Sequence, residues 1–306
     1  MEIRIASRRS PLARRQAELF AVALSEAQPA VPVRFVTVET EGDVRQDVAL
    51  SRIGGKGVFT QEIEAMLRRG EVDVAVHSLK DLPTALAPGL RIAALLPRED
   101  PRDVLVGPQG LTLGGLPYGA RVGTSSPRRR AQLLHQRPDL QVLELRGNVG
   151  TRLRRLAEGE YDALIMAAAG LLRDGRADAI AQYLEPGEML GAPAQGIIAV
   201  ETAADRKDLL ALLRRLSHRP TERRALSERT LLMELGSGCS VPVGALATGH
   251  GRGLRLTAGV FAPDGSTAMR VTLEGDRAAE LGRAAAKELL LGGAGRILAE
   301  AADDVR

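Results

Sequence analysis

Polar side chains cluster directly after one of the most apolar strands predicted for this chain. His77, Lys80 and Asp81 follow the run 72–76, and Pro83 closes the segment. In parallel α/β sheets, ligands bind beyond the carboxyl ends of the strands. Asp81 could there stabilise a cation or move a proton, and Lys80 could hold an acidic group of a substrate. The alternative is a polar turn in which Asp81 accepts hydrogen bonds from nearby backbone N–H groups.

Four predicted helix starts share a design that favours anions. The first turn of a helix offers unpaired N–H groups and about half a unit of positive charge. An adjacent cation adds to the attraction for an anion. One such start is an ordinary capped helix, but four of them predict a ligand with several negative groups. The starts are Ser10-Pro11 beside Arg8, Ser126-Pro127 beside Arg128 and Arg129, Asn148 between Arg146 and Arg152, and the glycine loop around Lys56.

Cys239 is the single cysteine, so it cannot form an internal disulfide. It lies in the small-residue loop 236–240 after a predicted helix. This setting favours an exposed thiol, which is either a bystander or the attachment point of a covalently bound group. The four histidines are scattered and there is no CxxC pair, so we expect no metal site.

The composition excludes several classes of protein. The chain has 306 residues with 44% apolar and 26% charged side chains, which is typical of a globular protein. Lysines and arginines number 42 against 38 acidic residues, and most are arginines, as coding bias alone could explain. Aromatic residues make up only 2%, too few for base-stacking platforms. No glycine loop matches a nucleotide fingerprint. No signal segment is apparent and the most apolar run is short, so we expect a cytoplasmic protein.

Strand-like and helix-like segments alternate through the first two thirds of the chain. This order predicts parallel sheets covered by helices, in two α/β units. After Pro220 a long helix, three strands and a final helical stretch predict a small α+β domain. The predicted strands are 3–6, 33–38, 72–76, 90–96, 104–106, 121–123, 142–145, 163–166, 243–247, 254–261 and 268–273. The predicted helices are 10–27, 58–69, 127–136, 149–158, the region after Ala168, 220–235 and a stretch from Asp276.

The chain resembles the porphobilinogen deaminase family nearly from end to end. The matching motifs occur in order, and several are long and unusual, so together they are specific. They are RIASRRSPLA, GGKGVFTQEIE, DVAVHSLKDLP, PREDPRDVLV, VGTSSPRRRAQL, LRGNVGTRL, YDALIMAAAGL and GSGCSVPVGA.

The resemblance implies a transferase that deaminates four porphobilinogen molecules and joins them head to tail into a linear tetrapyrrole, hydroxymethylbilane. It implies a dipyrromethane cofactor bound through a thioether, here to Cys239. Asp81 matches the catalytic aspartate that hydrogen-bonds pyrrole nitrogens. Each pyrrole carries an acetate and a propionate, which gives the arginines a physical purpose.

The resemblance also implies the remaining contacts. The cofactor would be held by Cys239, Lys80, Thr124, Ser126, Arg128, Arg129, Arg146 and Ser10. The substrate would be held by Arg8, Arg152, Arg173, Phe59, Gln195 and Lys56. The loop 40–57 matches the family's lid. Two departures stand out. Pro127 stands where we expect an apolar residue other than proline before the arginine pair, and the segment Ala192-Pro193-Ala194 leads into Gln195, where we expect a small residue or glycine just before the glutamine.

The resulting architecture has two periplasmic-binding-protein-like lobes around a cleft and a small third domain. We expect domain one at 1–97 with 194–216, domain two at 98–193 and domain three at 217–306. Two rival classes remain: a ligand-binding protein of the same fold, which would need neither Asp81 nor Cys239, and a basic nucleic-acid binder. The resemblance to the family favours a monomer that acts on a small molecule, with no nucleic-acid or membrane partner.

Overall fold

The computed structural model describes residues 2–39, 60–236 and 241–303. The chain forms two compact units: the first contains Met1–Glu99 and Gly196–Glu222, the second Asp100–Gln195 and Arg223–Arg306. The three-domain division stays a prediction. In chain order the described strands and helices are β1 (Ile3–Arg8), α1 (Pro11–Ala27), β2 (Val33–Val38), α2 (Gln61–Arg68), β3 (Val74–Ser78), β4 (Leu90–Leu95), β5 (Asp103–Val106), β6 (Arg121–Gly123), α3 (Pro127–Gln136), β7 (Gln141–Leu143), α4 (Val149–Ala157), β8 (Ala163–Ala167), α5 (Ala168–Arg173), β9 (Ile180–Leu184), β10 (Ile198–Ala203), α6 (Lys207–Leu213), α7 (Arg219–Glu234), β11 (Val243–His250), β12 (Gly253–Phe261), β13 (Ala268–Gly275), α8 (Ala278–Leu291) and α9 (Ala294–Asp303).

A five-stranded sheet in the order β2-β1-β3-β10-β4 forms the centre of the first unit. Strands β2, β1 and β3 run parallel, whereas β10 runs antiparallel to its neighbours β3 and β4. Helix α1 covers one face because Phe20 and Leu24, about one turn apart, both point at the sheet. The core there consists of fully buried residues of β1, α1, β3 and β10: Ile3, Ile5, Phe20, Leu24, Val74 and Val200.

The second unit contains a five-stranded sheet of the same design, in the order β7-β6-β8-β5-β9. Successive residues of β5 point to opposite faces, as in any strand. Leu105 packs in the cluster that contains Leu133 of α3, whereas Val104 packs in the cluster that contains Leu171 of α5. Both faces of this sheet are therefore covered by helices.

The prediction of two α/β sheets and a small C-terminal sheet is confirmed, but the expectation that both large sheets are parallel is wrong, because each contains one antiparallel strand. Strand β10 in the first unit and β5 in the second run against their neighbours. Each is the first strand after the chain passes from one unit to the other, so it does not belong to a strand–helix–strand repeat that would enforce parallel pairing. Strands β9 and β10 are additional elements that the sequence pattern missed.

The C-terminal part of the second unit is an antiparallel sheet in the order β11-β12-β13. Its buried residues Ala245, Leu256 and Ala258 pack with Leu281 and Leu289 of α8. Helix α7 precedes this sheet and ends at Glu234. Gly236, two residues later, has a φ of +64°, a left-handed conformation that glycine adopts without strain. Cys239 follows this helix end and lies outside the described residues.

Candidate active site

Strand β3 delivers the predicted catalytic residue. The strand is shifted two residues from its prediction and ends at Ser78, where a 3₁₀ turn, Leu79–Asp81, begins. Leu79 is fully buried and anchors the turn, and its N–H donates to the carbonyl of Ile197 at 2.9 Å. Lys80 is half-buried and Asp81 is exposed. A buried anchor thus holds an accessible carboxylate at the carboxyl end of a central strand.

Arg8 and Ser10 lie beside this turn because β1 pairs in parallel with β3, which brings the carboxyl ends of both strands to one edge. Ser10 caps α1, and its hydroxyl accepts from the N–H of Ala13 at 3.3 Å. A pocket of about 80 Å³ at this edge is lined by Arg8, Ser10, Gln16, Thr60, His77, Ser78, Asp81 and neighbouring apolar atoms. Three predicted site residues, Arg8, Ser10 and Asp81, therefore share one pocket.

Two hydrogen-bonded side-chain pairs fix residues that line the pocket. The amide of the buried Gln16 donates to the hydroxyl of Ser78 at 2.8 Å, which ties α1 to the end of β3. Nε2 of the buried His77 lies 3.1 Å from Oε2 of Glu201 on β10. Sequence analysis missed Glu201; its only signal is an acidic residue directly after the apolar run 197–200.

In the second unit, Arg128 and Arg129 converge on a residue that sequence analysis also missed. Asp103, fully buried at the start of β5, accepts from Nη1 of Arg128 at 2.6 Å and from Nη2 and Nε of Arg129 at 2.7 and 3.1 Å. The amide of Gln195 donates to Asp103 at 2.9 Å. Three predicted site residues are thus joined by one carboxylate.

The charges of this cluster do not balance. Two guanidinium groups, each less than a tenth exposed, share a single carboxylate, which leaves one positive charge without a partner inside the cluster. Burial raises the pKa of Asp103, but the charges and hydrogen bonds of both arginines outweigh this and lower the pKa well below its usual range. Burial lowers the pKa of Arg128, although Asp103 opposes the effect. The cluster is therefore suited to receive a second anion.

The arginine pair is presented by a capped helix, as the sequence predicted. Ser126 is the N-cap of α3, with its hydroxyl 3.5 Å from the N–H of Arg129, and Pro127 occupies the first turn. This explains why proline is tolerated before the arginine pair. The buried Thr124 stands just ahead of this helix, and its hydroxyl accepts from the N–H of Ser126 at 3.2 Å.

The next helix start also matches its prediction. Asn148 caps α4 by accepting from the N–H of Thr151 at 2.9 Å. Arg146 and Arg152 are half-buried on either side of this cap, and Nε of Arg152 donates to the carbonyl of Gly147 at 2.8 Å. Arg173 is the last residue of α5 and is half-buried.

The backbone before Gln195 explains the expectation of a small residue or glycine there. Ala194 has a φ of +63°, a left-handed conformation that costs a non-glycine residue about 1–2 kcal/mol. Its N–H donates at 2.6 Å to Oε2 of Glu228 on α7, and the N–H of Ala247 on β11 donates to Oε1 at 2.7 Å. A buried carboxylate thus holds the strained residue next to Gln195.

Several predicted site residues lie outside the described residues. They are Lys56, Phe59, Cys239, the predicted lid 40–57 and the fourth helix start with its glycine loop. Within the described ranges, no group of three or more His, Cys, Asp or Glu side chains could hold a metal ion. Among the helices that the structure describes, none is both long and apolar enough to cross a membrane.

Comparison with known proteins gives matches over almost the whole chain. A family model described as porphobilinogen deaminase, dipyromethane cofactor binding domain, matches residues 3–211. A second, described as porphobilinogen deaminase, C-terminal domain, matches residues 223–291. The porphobilinogen deaminase of Desulfitobacterium hafniense is 47% identical over 298 residues, which cover 97% of each chain. That of Chromobacterium violaceum is 47% identical over 300 residues, again 97% of each chain.

Two solved structures show a more distant similarity. The periplasmic VFT2 domain of BvgS from Bordetella pertussis is 17% identical, with a TM-score of 0.42 over 70% of this chain and 86% of that one. A reduced form of OxyR from N. meningitidis is 14% identical, with a TM-score of 0.42 over 70% of this chain and 93% of that one.

Proposed function

The chain belongs to the porphobilinogen deaminase family, and we propose how its own residues carry out the family's reaction, the head-to-tail condensation of four porphobilinogen molecules with loss of ammonia. Asp81 acts at the reacting ring, while arginines and capped helix starts bind the acidic side chains. The observation that carries this assignment is an exposed carboxylate, Asp81, in a pocket with Arg8 and Ser10. This pocket thus offers a carboxylate that can bind a cation, and a guanidinium and a hydroxyl that can bind an anion.

Asp81 would stabilise positive charge on the pyrrole ring. When ammonia leaves porphobilinogen, positive charge develops over the ring nitrogen, and a fixed carboxylate within hydrogen-bond reach stabilises it. The buried Leu79 supports this role because it fixes the turn that carries Asp81, so the carboxylate needs little reorganisation as the charge develops. Lys80, on the same turn, would bind a carboxylate of the ring.

The arginines would hold the growing product by its acetate and propionate groups. Arg8 and Ser10 would bind carboxylates in the pocket of Asp81. Further carboxylates would be bound by Arg146, Arg152 and Arg173. Guanidinium groups suit this task because their planar fork matches a carboxylate with two parallel hydrogen bonds. The half-burial of Arg146 and Arg152 beside the N-terminus of α4 supports it, since both the helix end and the side chains attract anions.

The donor groups of the second unit fit a dipyrromethane cofactor, whose two rings carry four carboxylates. The cluster at Asp103 has an unmatched positive charge, and Ser126 and Thr124 add polar groups beside it. When bound, the cofactor supplies the pyrrole carbon to which the first substrate unit is joined. We propose that Cys239 attaches it, that Arg128 lies on the side of its carboxylates, and that Gln195, Lys56 and Phe59 complete the substrate contacts.

Intact mass spectrometry of the purified chain tests the attachment. The native protein should exceed its translated mass by two linked pyrrole units, and Cys239→Ser should lose this increment and the activity while keeping its circular dichroism spectrum. A native protein without the increment that still forms tetrapyrrole would refute the role of Cys239.

The role of Asp81 is tested by its alanine and glutamate variants. Asp81→Ala should lower kcat by orders of magnitude with the mass increment retained, and Asp81→Glu should keep partial activity because the charge is present but displaced. Near-normal turnover of Asp81→Ala would rule this role out. A mere binding protein would retain porphobilinogen without releasing ammonia.

We further propose a monomer that acts in the cytoplasm on this small molecule, without nucleic-acid or membrane partners. The family resemblance supports this, and gel filtration with light scattering tests the oligomeric state.

A further inference from the structure

The two neighbouring arginines of α3 have different hydrogen-bonding patterns. We propose that Asp103 is a positioning residue that gives the two arginines different roles. It fixes Arg129 to the fold, and it orients Arg128 so that the remaining donors of Arg128 face a pyrrole carboxylate. This inference rests on the proposed function. It adds a residue to the site and assigns the two arginines unequal roles.

All three side-chain nitrogens of Arg129 donate hydrogen bonds to groups of the protein. Nε and Nη2 donate to Oδ1 of Asp103 at 3.1 and 2.7 Å, and Nη1 donates to the carbonyl of Ile165 on β8 at 3.0 Å. These bonds join α3 to two neighbouring strands of the sheet, β5 and β8. Removing them would leave a buried carboxylate and a buried carbonyl short of donors, so Arg129 has mainly a structural task.

Arg128 uses one nitrogen only. Its Nη1 donates to Oδ2 of Asp103 at 2.6 Å and to the carbonyl of Leu190 at 2.5 Å. In the part of the chain that the structure describes, its Nε and Nη2 have no hydrogen-bond partner. These two groups form the edge of the guanidinium that can bind a carboxylate with two parallel bonds. Arg128 therefore carries both the open donors and the unmatched charge of the cluster.

Asp103 is held too firmly to follow a ligand. Its Oδ1 accepts from Arg129 and from the amide of Gln195, which also donates to the carbonyl of Pro101 at 2.9 Å. Its Oδ2 is left for Arg128. Because the carboxylate is fully buried and fixed by these donors, it sets the orientation of the Arg128 guanidinium before any ligand arrives.

The proposal predicts opposite effects of the two arginines on stability. Arg128→Gln removes the unmatched buried charge, so Tm should stay the same or rise, whereas Arg129→Gln and Asp103→Asn should both lower it. We would measure Tm in the Cys239→Ser background, where no variant gains stability from an attached group. Arg121→Gln, from the exposed pair with Asp162 in the same unit, is the matched control and should change little.

The kinetic prediction concerns the KM for porphobilinogen in the full chain with Cys239 intact. Arg128→Gln should raise KM at least tenfold and lower the fraction of protein that carries the cofactor mass. Arg129→Gln should raise KM several-fold, but should change it less than twofold when added to Asp103→Asn, because Arg129 acts through Asp103.

Two outcomes would overturn the proposal while the proposed function stands. One is an active wild type in which Arg128→Gln and Arg129→Gln change both Tm and KM alike. The other is a KM effect of Arg129→Gln that multiplies fully with that of Asp103→Asn, which would show that Arg129 acts independently. If instead the wild type neither carries the mass increment nor consumes porphobilinogen, the proposed function itself fails.

Discussion

Replacing Asp73 by asparagine is expected to destabilise the protein at neutral pH, and this destabilisation should disappear in acid. Asp73 precedes β3 and is only 5% exposed. Its carboxylate accepts from the N–H and Nε of Arg4 at 2.9 and 2.8 Å, from Nη2 of Arg4 at 3.1 Å and from Nη1 of Arg206 at 2.8 Å. These bonds join β1, β3 and the segment before α6 at the amino end of β3, which is the end opposite to Asp81.

The size and sign of the effect follow from the pKa. Burial raises the pKa of Asp73, but the hydrogen bonds and charges of Arg4 and Arg206 outweigh burial and lower it from 3.8 to about 2. This difference corresponds to about 2.4 kcal/mol of stability at neutral pH. Because the pKa is lowered in the folded state, the stabilisation is complete above about pH 5 and declines as the pH falls. About half remains at pH 3, and little at pH 2.

Urea unfolding followed by circular dichroism is the suitable assay, since the chain has no tryptophan. At pH 7, Asp73→Asn should lose about 2 kcal/mol, and its difference from the wild type should shrink to about half at pH 3. Asp208→Asn is the matched control, because Asp208 also pairs with Arg206 but is 53% exposed, and it should cost under 1 kcal/mol. The reasoning is refuted if both variants cost the same at pH 7, or if the Asp73→Asn difference does not change with pH.

Three further predictions concern the site and its supports. Arg128→Lys should stall elongation, because a lysine cannot bind a carboxylate with two parallel bonds, and mass spectrometry of the enzyme during turnover should show fewer attached rings than in the wild type. Asn148→Ala should cost about 1 kcal/mol through loss of the α4 cap, seen as a Tm lower by about 2–4 °C, and an unchanged Tm would contradict the capping role. Ala194→Val should lower Tm by several degrees because a branched side chain fits a left-handed backbone poorly, whereas Ala194→Gly should stay within about 2 °C of the wild type; equal effects of the two would argue against backbone strain.

Local signals predicted the elements that present the site. Serine or asparagine before a helix, with proline at the first position in two cases, indicated the starts of α1, α3 and α4 to the residue. These signals depend on residues close in sequence, so they can be interpreted from a single amino-acid sequence. The segment around Asp81 was identified in the same way, although β3 begins two residues later than its apolar run indicated.

Strand direction and buried charge partners were not predictable in this way. The reversed pairing of β10 with β3 joins residues more than a hundred positions apart, and no local pattern encodes that pairing. Asp103 and Glu201 were missed for a related reason, since an acidic residue in or beside an apolar strand looks like an exposed one until its partner is known. The adjacent Arg128 and Arg129 offered an indirect signal: two cations on a helix that packs on a sheet require an acidic partner.

The position of β10 in the first sheet has a consequence for how the chain is made. This strand lies between β3 and β4, yet it is encoded after the entire sheet β5–β9 of the second unit. During synthesis the sheet of the second unit has all its strands first, while the sheet of the first unit still lacks the strand that joins β3 to β4. A chain released from the ribosome shortly after Leu184 would contain one complete sheet and one in which β4 is unpaired and one edge of β3 is open. Such open strand edges favour aggregation.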